Sequence, residues 1–148
     1  MIKNERQYRI TKAQAVKLEQ ALDQVTSGAS RNTPVHPRLQ QAQVEALHSQ
    51  IADLHAQLAE YDALRTQAQT AFAVESFEDF PQALIRARIA AGLSQRELAE
   101  KLGLKEQQIQ RYEATEYASA SYSRVAEVVR ALGLMVREEI VLPSSQQE

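Results

Sequence analysis

Lys105, Glu106, Gln107, Gln110 and Arg111 make a short polar run whose spacing puts it on the outward side of a helix, while Ile109 and Tyr112 point inward. The chemistry of this set is planar hydrogen bonding. A Gln amide exchanges two hydrogen bonds with adenine, an Arg guanidinium does the same with guanine, and a Glu carboxylate accepts from the cytosine amino group. Upstream, Ser94 and Gln95 open another helical pattern, and free N–H groups at such an end suit a phosphate.

Two elements must hold these groups. Ser94 and Glu97 have the spacing of a capping box, and Leu98, Ala99 and Leu102 give the apolar face of one helix. Gly103 ends it, since glycine enters the left-handed conformation cheaply. Leu104 is the apolar hinge, and a second helix starts near Lys105. Small Ala99 lets the two helices approach at the steep angle that a three- or four-residue turn requires. The arrangement predicts a helix-turn-helix, whose second helix enters the major groove of B-DNA.

"ALIRARIAAGLSQRELAEKLGLKEQQIQRYE", followed by "SYSRVAEVVRALGL", resembles the Xre family of lambda-repressor-like DNA-binding domains. The "GLSQRELAEKLGL" core, the "I..YE" and the closing "ALGL" carry the resemblance, over about Phe80 to Leu134. It implies a five-helix domain. It also implies that Gln95 contacts phosphate and that Lys105, Glu106, Gln107, Gln110 and Arg111 read or flank bases of double-stranded DNA. Two departures stand out. Lys105 occupies the place of the usual Ser or Thr cap, and the glycine that usually follows the recognition helix is missing from "EATEYASAS". Glu106 also needs a base donor, or Lys105 or Arg111, to offset its charge beside DNA.

The preceding residues form a different region. "TKAQ" reads as a capping box at Thr11, and Ala15, Leu18, Leu22 and Val25 continue one helical face, predicting a helix over about Lys12 to Val25 with "QYRIT" as a short extended arm. "TSGASRNTPVHP" is a turn-rich break. A longer helix is predicted from about Arg38 to Thr70. Val44, Ile51 and Leu58 fall at a positions, and Leu47, Leu54 and Tyr61 at d positions. Such a narrow seam needs a partner, either the first helix folded back as a hairpin or another chain. Val44, Leu47, Ile51, Leu54 and Leu58 are therefore candidate contacts for a dimer or partner. A helical extension before an Xre-type domain also resembles the layout of antitoxins of the HigA type.

Beyond the helix-turn-helix, "LMVREEIVLP" is rich in Val and Ile, and Met135 to Leu142 is expected as a short strand. Val136 and Ile140 would pair it with a second copy in a two-stranded ribbon. Near the junction, Ser76 and Asp79 are plausible caps and Pro81 suits a first helical turn.

Composition narrows the function. The chain has 148 residues, 44% hydrophobic and 24% charged, with four Gly and four Pro, which favours helices. Its net charge of -2 gives no general attraction to nucleic acid, so DNA binding must rest on locally placed cations. No Cys is present, and no apolar run approaches the roughly 20 residues of a membrane span. The first residues lack the apolar core of a signal peptide, so a cytoplasmic location is expected. His48 and His55 lie seven apart, a poor spacing for a zinc pair on a helix, and solvated histidines are expected. No phosphate loop, nucleophile elbow or ligand spacing is present, and Glu78 with Asp79 and Glu138 with Glu139 lack a nearby His or Lys. Neither catalysis nor a cofactor or metal is expected.

The sequence thus predicts a mainly α protein. Residues 1–74 form a helical hairpin or coiled-coil extension, 75–142 a five-helix lambda-repressor-like domain with a short C-terminal strand, and 143–148 a tail. The expected function is sequence-specific DNA binding as a homodimeric repressor on an inverted repeat. The alternative is an antitoxin that regulates its own operon and masks a toxin with its N-terminal helices.

Overall fold

The computed structural model describes residues 1–28, 35–66 and 69–142. It is mainly helical. Among the described residues, six α-helices and one 3₁₀ turn follow one another: α1 (Glu5–Ser27), α2 (Pro37–Arg65), the turn Phe77–Asp79, α3 (Phe80–Ala90), α4 (Gln95–Leu102), α5 (Glu106–Ala114) and α6 (Tyr122–Ala131). No helix is long and apolar enough to cross a membrane among the described residues.

α1 starts earlier than the sequence predicts. Asn4, with extended backbone, accepts from Gln7 N–H and caps the helix, while Gln7 Oε1 accepts from Lys3 N–H at 2.8 Å. The "QYRIT" stretch is therefore helical, and Thr11 lies within α1. Glu5 in the first turn suits the positive end of the helix. α2 ends at Arg65, short of the expected Thr70.

α1 and α2 pair as an antiparallel hairpin. The Tyr8 ring packs tilted against that of Tyr61, with centroids 5.2 Å apart, and its hydroxyl donates to Asp62. Arg65 pairs with Glu5, His55 lies 2.9 Å from Glu19, and Gln40 donates to the Val25 carbonyl. Ile51 and Tyr61 are buried, and Val44, Leu47, Leu54 and Leu58 are half-buried. The seam is thus covered within one chain.

The 3₁₀ turn and α3–α6 form the second part, four α-helices and a turn where five helices are expected. Pro81 sits in the first turn of α3, where a missing N–H costs nothing. Leu84, Ile85, Ile89, Leu98, Ile109 and Val128 are nearly free of solvent and form one core. Ile2, Tyr61 and Leu64 from the N-terminal region join that same core.

The expected C-terminal strand is absent among the described residues. Leu134 to Leu142 has no regular structure, and Met135, Ile140, Val141 and Leu142 stand exposed. A strand needs a partner for its backbone N–H and C=O groups, and the described residues supply none. Arg137, Glu138 and Glu139 interrupt the apolar alternation as well. The tail at 143–148 lies outside the described residues.

Candidate nucleic-acid interface

Ser94 accepts from the Glu97 N–H, and Glu97 Oε2 accepts from the Ser94 N–H and hydroxyl, each at 2.7 Å. These hydrogen bonds hold the Glu97 carboxyl below the usual carboxylate range. At the other end of α4, Gly103 has φ 66, and the Leu104 N–H returns to the Ala99 carbonyl at 2.8 Å. A Cβ on Gly103 would meet nothing within 4 Å, so the backbone angle alone demands glycine here.

The N-cap of α5 is Lys105, which has no acceptor atom on its side chain. Only the return half of a capping box forms: the Lys105 N–H donates to Gln108 Oε1 at 3.1 Å. Ile109 is fully buried under α5, while Lys105, Glu106, Gln107, Gln110 and Arg111 are all exposed. Gln110 Nε2 donates to Glu106 Oε1 at 3.1 Å, so Glu106 finds its partner on the next turn of its own helix. The side chains of Lys105, Gln107 and Arg111 make no hydrogen bond or ion pair among the described residues. Their donors and acceptors are open to a ligand.

Ser94 is exposed at the start of α4, but Gln95 is not. Its side chain is 4% exposed and turned inward, where Nε2 donates to Glu113 Oε2 at 2.7 Å and Oε1 accepts from Asn4 at 3.0 Å. The Ser94 hydroxyl and N–H already donate to Glu97, so what the first turn of α4 offers outward is the rest of its backbone end.

Glu113 is the centre of a buried network that sequence reasoning missed. Its carboxylate, with no exposed surface, accepts from Arg88 Nε and Nη2 and from Gln95. Arg88 also donates to the carbonyls of Leu93 and Lys3. Lys3 Nζ in turn donates to the Glu113 carbonyl. The only signal in the sequence was the Glu of the "I..YE" motif, which marked the family without disclosing an inward-facing charge.

The chain after α5 solves its missing glycine by strain. Glu116 and Tyr117 adopt positive φ, 49 and 60. The Tyr117 N–H reaches the Tyr112 carbonyl at 2.7 Å, and its ring is buried. Burial, then the neighbouring Glu113 charge, pushes its hydroxyl pKa well above the ordinary tyrosine range.

An open cleft of about 520 Å³ lies between the hairpin and the helix-turn-helix, lined among others by Asn4, Arg6, Arg65, Ser94, Glu106 and Gln110. Elsewhere, no group of His, Asp and Glu is placed to hold a metal ion among the described residues.

Residues 84–136, somewhat over a third of the chain, match the helix-turn-helix family model. This stretch is an Xre-type helix-turn-helix domain. The match supports a DNA-binding transcription regulator. No curated protein and no solved structure matches the chain.

Proposed function

We propose that the protein is a homodimeric repressor that recognises an inverted repeat through α5. The observation that carries this reading is the exposed, unpartnered pair Gln107 and Arg111 one turn apart on the recognition helix. Both have the two-point geometry that discriminates base edges. Lys105 and the start of α4 at Ser94 serve as phosphate contacts, and Glu106 with Gln110 acts as a joined pair that accepts from cytosine or donates to a purine. Gln95 acts from inside by fixing the first turn of α4.

Dimerisation rests on the C-terminal segment. Met135 is 81% exposed and Ile140 92%, with Val136, Val141 and Leu142 also open. So many apolar side chains on a short segment favour burial against a second copy. The hairpin seam of Val44, Leu47, Ile51, Leu54 and Leu58 is already taken up by α1 and is the weaker candidate. Two copies related by a two-fold axis would read half-sites about 34 Å apart.

Selection of bound fragments from genomic DNA tests this reading. The expected product is an inverted repeat whose preferred bases change when Gln107 or Arg111 is replaced by Ala. Recovery of fragments with no shared sequence would leave only a general duplex binder. The antitoxin alternative draws on Ile10 and Val16, which are exposed on α1. A partner that co-purifies with the full chain and is released by Ile10→Asp with Val16→Asp supports that second role.

A further inference from the structure

The recognition domain has a charge problem. Residues 75–142 carry nine Lys and Arg against eleven Asp and Glu, so this part has no net attraction for a phosphate backbone. The opposite holds at the start of the chain, where residues 1–17 carry five cations and one anion. The fold brings these two regions together. Asn4, the cap of α1, bonds to Gln95 in the first turn of α4 at 3.0 Å, and Lys3 reaches the Glu113 carbonyl at the end of α5. The first turn of α1 is thereby fastened beside the two elements that face DNA. Arg6 lines the same open cleft as Ser94 of α4 and Glu106 and Gln110 of α5.

The helical period sharpens the picture. Arg6, Arg9 and Lys17 share one face of α1, and no acid lies on it. All three are exposed. Two of the three acids of α1 are turned to the hairpin, Glu5 pairing with Arg65 and Glu19 meeting His55, and the third, Asp23, is exposed near the other end of the helix. Neither Arg6 nor Arg9 has an ion-pair or side-chain hydrogen-bond partner among the described residues, although Glu5 is adjacent in sequence. A hairpin serving only as a spacer has no reason to segregate its charges this way.

We propose that Arg6 and Arg9 of α1 belong to the DNA-binding surface and neutralise backbone phosphates flanking the bases read by α5. This rests on the DNA-binding reading of α5 and extends its footprint to the N-terminal hairpin. The contacts act on phosphate, so they strengthen binding to any duplex without changing base preference.

The test is a salt titration of duplex binding by the full chain. Wild type, Arg6→Ala with Arg9→Ala, Arg6→Glu, Gln107→Ala with Arg111→Ala, and Arg38→Ala are compared on a selected site and on unrelated DNA. Thermal melts confirm that each variant is folded. The expected result for the double Arg6 and Arg9 variant is a plot of log affinity against log salt that is shallower by about 0.9 per lost phosphate contact. Its affinity falls on both DNAs, its preferred bases stay the same, and Arg6→Glu falls further. Arg38, at the far end of the hairpin, serves as the cation whose removal leaves the slope unchanged. If the slope and affinity stay at wild-type values while the Gln107 and Arg111 variant loses base preference, the proposal is overturned and the reading of α5 stands. A wild-type chain that binds no duplex removes both.

Discussion

Glu113 is a charge held entirely away from water, and its partners come from three separate places: Arg88 on α3, Gln95 on α4, and Lys3 beside its carbonyl. Burying a carboxylate alone is prohibitive, so the pair with Arg88 and the Gln95 amide must together offset the lost hydration. Such pairs are poor sources of net stability but costly to break from one side. Glu113→Ala is therefore expected to destabilise by about 3–5 kcal/mol in denaturant titrations, and Arg88→Met with Glu113→Leu by clearly less than that. A double variant no more stable than the single would show that shape around the pair, not uncompensated charge, dominates. Glu97 works at the opposite extreme, on the surface. Its pKa is lowered on folding by the Ser94 hydrogen bonds, so its contribution is present above the ordinary carboxylate range and fades as pH falls through the folded value. Ser94→Ala should flatten the acid limb of the stability profile, measured by melting temperature between neutral pH and acid.

At the scale of elements, the turn between α4 and α5 was legible because every signal is local: Ser94 with Glu97, then Ala99, Gly103, Leu104 and Ile109 at fixed offsets. Ile109, fully buried, is the one to remove: Ile109→Ala should cost about 2–5 kcal/mol, read from chemical unfolding. The start of α1 was less legible. Tyr8, Ile10 and Thr11 have weak helix propensity, and their helicity depends on Asn4 and on the hairpin. The C-terminal segment shows the reverse failure. Val136, Ile140 and Val141 favour a strand by type, but propensity does not make one without a neighbouring strand. After α5, Glu116 and Tyr117 hold a left-handed turn that glycine would adopt freely. Glu116→Gly should raise stability by about 0.5–1 kcal/mol, the relief of strain exceeding the entropy glycine adds to the unfolded chain. A lower melting temperature for that variant would mean that the Gln82 contact to Glu116 outweighs the strain.

For the whole molecule, the hairpin and the helix-turn-helix share one core. Ile2 is 3% exposed among residues of α3, α4 and α5, and Tyr61 and Leu64 at the end of α2 join it. A sequence pattern places boundaries by composition, as it does at the break near Val74. What it cannot show is a segment returning from the far end of the chain to complete a core, since that contact has no local signature. The candidate base readers were legible for the opposite reason, being exposed on a single short helix. Deleting residues 2–4 is expected to lower the melting temperature of the helix-turn-helix as well as of the hairpin, and two independent transitions in calorimetry would refute the shared core.

The bond from Lys3 to the Glu113 carbonyl spans 110 positions. During synthesis Ile2 to Asn4 leave the ribosome before α3 to α5, and at typical elongation rates they wait about 5–20 s for the residues they will seal against. Through that interval an isoleucine and a lysine are without their final surroundings, so the core beneath α5 is closed by a segment made well before it.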